Sequence, residues 1–148
     1  MPIVGFNYNK IDVEKKELSL KDKSKNMQVK SNVNINEVKE QKLPTGKEKN
    51  EGLRIDFTFT LQYDPDLGHI NLQGFIFYLD DAKVMKTIYK EWEKDKQLPQ
   101  EVMGEIINMV LLKSNIKALY LSQEVNLPPH IQMPRVVPKQ APADNYIG

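Results

Sequence analysis

The chain has 148 residues, of which 21 are basic and 20 acidic, giving a formal net charge of +1. That length suits one domain, and a hydrophobic content of 40% can build a core, which excludes wholesale disorder. Nucleic-acid-binding proteins usually have a clear basic excess rich in arginine. Here Arg54 and Arg135 are the two arginines, so the charge balance argues against nucleic acid as a partner.

Residue types that are missing exclude further classes of site. Cysteine is absent, which removes disulfides, thiol nucleophiles and cysteine zinc sites, and fits a reducing cytoplasm. The N-terminus lacks the basic lead and apolar run of a signal peptide. No apolar stretch approaches the roughly 20 residues of a membrane span. We therefore expect a cytoplasmic protein without a membrane segment.

The first half of the chain has the period-two pattern of β-strands. The alternating apolar residues are Phe6, Tyr8, Ile11, Val13, Leu18 and Leu20 in a first strand, Met27, Val29, Val33 and Ile35 in a second, the odd-numbered residues 53–63 in a third, and Ile70, Leu72, Ile76 and Tyr78 in a fourth. The pattern changes phase between Tyr8 and Ile11, which predicts a β-bulge there.

The connections define the predicted order of these strands. The turn residues 64–68, with Pro65 and Gly68, predict a hairpin between the third and fourth strands. The charged residues 37–52 predict a mobile loop between the second and third strands. Four consecutive strands with short links predict an antiparallel meander.

The second half has helical spacing. Asp80 or Asp81 can cap a first helix, residues 94–98 break the pattern, and Pro99 suits the first turn of a second helix that extends to about Tyr120. The second helix is apolar on more than one side, so we expect an oligomer interface there. The residues expected in that interface are Met103, Ile106, Ile107, Met109 and Val110.

The predicted fold class is therefore α+β, with a four-stranded antiparallel meander sheet followed by long packed helices. Five prolines follow Leu127, which predicts a β-then-α domain over residues 1–127 and an extended Pro-rich tail over residues 128–148.

The sequence offers no recognisable catalytic machinery. His69 and His130 lack metal-ligand spacing, and the glycine patterns that bind nucleotides are absent. The acidic pair at residues 80–81 is interpreted as a helix cap, and Asp64 and Asp66 as turn residues. We expect no catalytic residue, metal or cofactor, and hence a protein that is not an enzyme.

Residues 73–79 carry more apolar side chains than one face of a strand can bury. Phe75 and Phe77 must point away from the side occupied by Ile76 and Tyr78. Burial beneath a helix or a partner subunit would explain this pattern. The alternative is an exposed apolar groove between the fourth strand and the helices, formed or bordered by Phe75, Phe77 and Tyr78.

Three segments carry a resemblance to a known family. Residues 74–77 (Gly-Phe-Ile-Phe) look like a stretch in the fourth strand of SecB-type export chaperones. Leu98-Pro99, followed by the apolar residues 106–110, resembles the start of a helix in that family. Residues 125–129 (Val-Asn-Leu-Pro-Pro) are similar to its Leu-Asn-Leu-x-Pro connector. The coarse layout resembles the family over about residues 3–130.

The resemblance implies a homotetramer, a dimer of dimers, whose apolar groove holds unfolded polypeptide without ATP. A Pro-rich tail replaces the family's further helix and its tail that contacts the export motor, which favours a general holdase over an export factor. An antitoxin-protecting role, as in some SecB-like proteins, stays open. The alternatives from other classes are a structural or adaptor subunit that docks on one fixed protein or ribosome-type assembly, and an enzyme with a pocket between sheet and helices.

Overall fold

Four strands are followed by two helices, as the hydrophobic periodicity predicts, and the α+β class is confirmed. The computed structural model describes residues 3–17, 27–45 and 48–138. The elements are β1 (Ile3–Lys15), β2 (Gln28–Thr45), β3 (Glu48–Asp64), β4 (Gly68–Tyr78), α1 (Ala82–Asp95) and α2 (Gln100–Glu124).

The sheet is antiparallel throughout, but its strand order is β1-β4-β3-β2, so the predicted meander is wrong in one connection. β1 pairs with β4, with Phe6 opposite Ile76, and lies at the edge opposite to β2. The physical reason is the length of the link. Residues 16–27 can reach much further than the roughly 14 Å width of the sheet, whereas tight hairpins hold β2, β3 and β4 side by side.

The predicted loop over residues 37–52 is also wrong, because β2 and β3 continue through it as one long hairpin. A bulge between Ile35 and Glu37 shifts the phase of β2, so that Val38 returns to the buried face opposite Ile55 and is 2% exposed. The charged residues that suggested a loop therefore belong to paired strands.

Two local predictions about the strands are confirmed. The register of β1 against β4 shifts between Tyr8 and Lys10, which is the predicted bulge. Residues 65–67 form the turn between β3 and β4, where the Leu67 N–H donates to the carbonyl of Tyr63 at 2.9 Å. Leu18 and Leu20 lie outside the described residues.

Both helices pack on one face of the sheet and complete a single core. Ile88 and Trp92 are the buried residues of α1, which lies over β2 and β3. Asp81 occupies the N-cap position of α1 without a side-chain hydrogen bond, and Pro99 occupies that of α2. In the described part of the chain, neither helix combines the length and apolar character that crossing a membrane requires.

α2 buries one stripe of residues that recurs every fourth position. The stripe consists of Val102, Ile106, Val110, Ser114, Ala118 and Ser122. Its members change from branched aliphatic residues in the first half of the helix to small residues in the second half. Small residues let a helix backbone approach its neighbours closely, so the C-terminal half of α2 can lie over the larger side chains of the sheet.

The chain beyond α2 first packs against the core at Leu127. It then continues without helix or strand as far as residue 138. Leu127 is 6% exposed, and the hydroxyl of Tyr63 donates to the carbonyl of Pro128 at 2.8 Å. Residues 139–148 of the expected tail lie outside the described residues.

Gly74 permits a close approach between β4 and β1. A Cβ atom at this position would meet the backbone carbonyl of Asn7 and would lie 2.9 Å from the ring of Phe57. The backbone of Asn7 belongs to the β1–β4 ladder, so it cannot move away without loss of strand pairing. At Gly104, within α2, an added Cβ meets nothing within 4 Å.

We predict opposite effects for the same substitution at these two glycines. Gly74→Ala should lower the free energy of unfolding by about 1–3 kcal/mol through overpacking. Gly104→Ala should raise it by about 0.5–1 kcal/mol, because alanine restricts the unfolded chain and favours helix. Urea unfolding of the two variants measures both changes, and equal stability of Gly74→Ala and the parent chain would contradict the close approach.

Candidate functional site

The three residues expected to form a groove beside β4 lie on two different faces of the sheet. Tyr78 is 3% exposed and belongs to the core on the helix side. Phe75 and Phe77 alternate with Ile76 and Tyr78, so they lie on the face away from the helices. The sequence predicts that they form or border a groove between β4 and the helices. In the structure they do not line that space. A role of the two phenylalanines in binding stays a prediction.

On that outer face the two rings form an aromatic pair whose centroids are 5.2 Å apart. The guanidinium of Arg54 lies 3.9 Å from the centroid of Phe75, and its Nε donates to Asp56 at 2.9 Å. The neighbouring positions of β3 and β4 are polar: Thr58, Thr60, Asn71 and Gln73. The outer face is therefore a polar surface with one half-buried aromatic pair.

The five residues expected in an oligomer interface also divide. Ile106 and Val110 are 0% exposed and face the sheet of the same chain, so one chain alone accounts for their burial. Met103, Ile107 and Met109 are partly buried at the flanks of α2. Of the five, only Met103, Ile107 and Met109 retain apolar surface that a second chain can cover.

A second apolar stripe runs along α2, on the side opposite to the buried stripe. It consists of Leu112, Ile116 and Tyr120, which are 60%, 62% and 60% exposed. The three residues recur every fourth position and span about 12 Å of the helix. We call them the outer stripe; it explains why the sequence of α2 is apolar nearly all round.

On the helix side of the sheet, β1 contributes two aromatic residues beside β4. Phe6 lies opposite Ile76, and Tyr8 lies opposite Gly74. Their rings lie 5.1 Å and 6.2 Å from the ring of Phe57. The absence of a side chain at Gly74 leaves the space that the Phe57 ring occupies. Tyr8 also contacts α2, because its hydroxyl lies 3.4 Å from the hydroxyl of Ser114.

An open groove of about 680 Å³ lies between β1 and the C-terminal half of α2. Its lining residues are Phe6, Tyr8, Lys113, Ile116, Lys117 and Tyr120, and we call it the β1–α2 groove. The floor is aromatic, and the exposed side chains of Ile116 and Tyr120 form one wall. The Nζ atom of Lys113 lies 5.4 Å from the centroid of the Phe6 ring, within the range of a cation–π interaction.

Sequence reasoning missed this groove, although one signal pointed to it. The helix predicted to extend to about Tyr120 includes Leu112, Ile116 and Tyr120, whose spacing marks a stripe that cannot face the same side as Ser114 and Ala118. The contribution of β1 was not predictable from the meander, because only the observed strand order brings Phe6 beside Ile76.

The polar groups that line the groove are two lysines and two tyrosine hydroxyls. Burial raises the pKa of the Tyr8 hydroxyl, opposed in part by its contact with Ser114, so the phenol stays neutral and can donate a hydrogen bond. Among the described residues, no carboxylate or histidine lines the groove. Within residues 3–17, 27–45 and 48–138, no three histidine or acidic side chains are grouped so that they could hold a metal ion.

Comparisons with protein-family models, with curated proteins and with solved structures found no match to this chain.

A histidine holds the start of the C-terminal segment against α2. The Nε2 atom of His130 lies 2.8 Å from the amide oxygen of Asn115, so Nε2 carries the proton and donates. Its Nδ1 atom is buried without a hydrogen-bond partner among the described residues. Protonation would place a second donor at that buried atom, and burial accordingly lowers the pKa of His130.

We predict that this contact weakens as the pH falls. Because the folded pKa of His130 lies below the ordinary value of about 6.5, the unfolded chain takes up the proton first. The full stability is therefore present above about pH 6.5 and is lost as the pH falls through the folded pKa. Urea unfolding between pH 7.5 and 5 measures this loss, and His130→Asn should reduce the slope. An unchanged slope in the variant would show that other groups cause the pH dependence.

Proposed function

We propose that this chain is a SecB-like, ATP-independent holdase that binds non-native polypeptide in the β1–α2 groove. The observation that carries the proposal is the position of an apolar groove directly beside an edge of the sheet. β1 is the edge strand, and its residues Phe6 and Tyr8 form the floor of the groove.

An unfolded chain presents backbone hydrogen-bonding groups and scattered apolar side chains, and this site can receive both. In the described part of the chain, the outer edge of β1 pairs with no other strand, so an extended segment can add to the sheet there. Such backbone pairing does not depend on the sequence of the client. The aromatic floor, with Ile116 and Tyr120 of the outer stripe, can then cover its apolar side chains.

The proposal includes a non-catalytic role in the cytoplasm. The polar groups of the groove are two lysines and the hydroxyls of Tyr8 and Tyr120, which lack the paired acid and base or activated nucleophile that catalysis would require. Binding that depends on apolar burial needs no nucleotide. Addition of ATP should therefore leave client affinity unchanged.

We predict that the wall of the groove can be altered without loss of folding. Ile116→Ser with Tyr120→Ser should weaken binding of an unfolded model protein by at least about ten-fold, since each apolar side chain contributes about 1.5–3 kcal/mol when buried. Both residues are about 60% exposed, so the melting temperature should hardly change. Suppression of aggregation and fluorescence anisotropy of a labelled client measure the effect.

Val84→Ser is the matched control, because Val84 is a partly exposed apolar residue on α1, away from the groove. It should leave client affinity unaltered. Equal affinities for the parent chain and the Ile116→Ser, Tyr120→Ser variant would overturn the assignment of the groove. A loss of affinity in Phe75→Ala instead would move the site to the outer face of the sheet.

We also propose that the chain forms a homo-oligomer, a dimer of dimers, in which α2 contributes to an interface. Met109 is partly exposed, and Leu112, which is 60% exposed, immediately precedes Lys113, the first residue of α2 that lines the groove. A second copy of the chain can cover this part of α2 while the C-terminal half remains open to a client. Apolar stripes of this kind are usually covered in symmetric oligomers.

We predict that Met109→Asp separates the subunits while each chain stays folded, because a charge at a covered interface is strongly unfavourable. Light scattering gives the mass, and circular dichroism checks the fold. Val110→Asp is the contrasting variant: Val110 is 0% exposed within one chain, so this change should unfold the protein. An unchanged mass for folded Met109→Asp places the interface elsewhere or shows that the chain is a monomer.

A second candidate function is that of an adaptor that docks on one fixed protein. The observation that favours it is the exposed apolar segment after α2: Ile131 is 41%, Met133 49%, Val136 96% and Val137 68% exposed. A short extended segment of this kind can act as a docking motif. An adaptor would leave the aggregation of an unfolded model protein unaffected, whereas a holdase suppresses it.

A further inference from the structure

Two lysines border the β1–α2 groove on consecutive turns of α2. Lys113 lies over the Phe6 ring at 5.4 Å, and Lys117, partly buried, lines the same wall one turn later. In the described residues neither forms an ion pair with a carboxylate; the lysines that do so are Lys16 and Lys30, with Asp66 and Asp64. The described residues that line the groove therefore carry two positive charges and no negative charge.

This local excess contrasts with the chain as a whole, whose net charge is +1. Beside an apolar floor, charges are screened less by water than on an open surface. A segment that enters the groove with a carboxylate near its apolar side chains gains attraction from both lysines. A segment with lysine or arginine at the same positions is repelled.

We propose that the groove selects apolar polypeptide segments that carry acidic side chains over otherwise identical segments that carry basic ones. This inference rests on the proposed function, because it names the class of client for the same groove. The stems of Lys113 and Lys117 add apolar surface to the wall while their ammonium groups reach the carboxylates of the bound segment.

Lysines beside aromatic rings are also typical of sites that bind single-stranded nucleic acid, whose bases stack on exposed rings. Phe6 and Tyr8 are half-buried and pack against Phe57, and Lys113 covers the Phe6 ring. Among the aromatic residues of the groove, Tyr120 alone is largely exposed. Successive bases would therefore lack a stacking platform, and the geometry favours polypeptide.

The test uses the full chain and three labelled peptides with the same apolar residues and with Glu, Gln or Lys at the intervening positions. Fluorescence anisotropy at physiological salt gives the three dissociation constants. The Glu peptide should bind about three- to ten-fold more tightly than the Lys peptide, as expected for two partly exposed charge pairs. The difference should shrink at high salt.

Lys113→Gln with Lys117→Gln should abolish the preference, and Lys113→Glu with Lys117→Glu should reverse it. Lys83→Gln with Lys90→Gln, two exposed lysines on α1, should leave it intact. Equal affinity for the three peptides, tighter binding of the Lys peptide, or a preference that survives in Lys113→Gln, Lys117→Gln would overturn the inference. Tighter binding of a single-stranded oligonucleotide than of the Glu peptide would also overturn it.

The Gln peptide separates this inference from the proposed function. If the Gln peptide binds and charge has no effect, the groove is a polypeptide site without charge selection, and only the inference fails. If none of the three peptides binds, the proposed function fails with it.

Discussion

The packing of α2 against the sheet through its buried stripe determines where the β1–α2 groove, its two lysines and the outer stripe lie. Val102, Ile106 and Val110 are buried in the core, whereas Ser114 and Ala118 take up little space in the part of the helix that contacts Tyr8 of β1. With bulkier residues there, the helix could not lie this close to Tyr8. Its lysines and outer stripe would then not form a wall beside β1.

Two surfaces that lack a partner lie beside the β1–α2 groove. The outer stripe leaves apolar area in contact with water, and the outer edge of β1 has no partner strand among residues 3–17, 27–45 and 48–138. Proteins usually cover or disrupt such edges and patches, because both promote association. Here they lie side by side, so the proposed client, an extended and partly apolar chain, would cover both at once. This coincidence supports polypeptide binding better than it supports catalysis.

The sequence predicts most of the elements but not their arrangement. Alternation in β3 and β4 is so regular that both strands and their hairpin follow directly. The place of β1 does not, since the link over residues 16–27 allows either edge of the sheet. The bulge after Ile35 hid the return of Val38 to the core. The alternation in β4 predicts that Phe75 and Phe77 are surplus to one face, but it does not show which face the helices cover. The groove combines β1 with α2, more than 100 residues apart in sequence, which periodicity does not reveal.

The central claim is that non-native polypeptide occupies the space between β1 and α2. Because the chain has no cysteine, a single cysteine can carry a photo-cross-linker at a chosen site without a background reaction. The measurement compares cross-linking to an unfolded client from Ile116→Cys, in the groove, and from Gln73→Cys, exposed on the opposite face of the sheet. The account predicts efficient cross-links from position 116 and few from position 73. Equal yields at the two sites, or a higher yield from position 73, would contradict it.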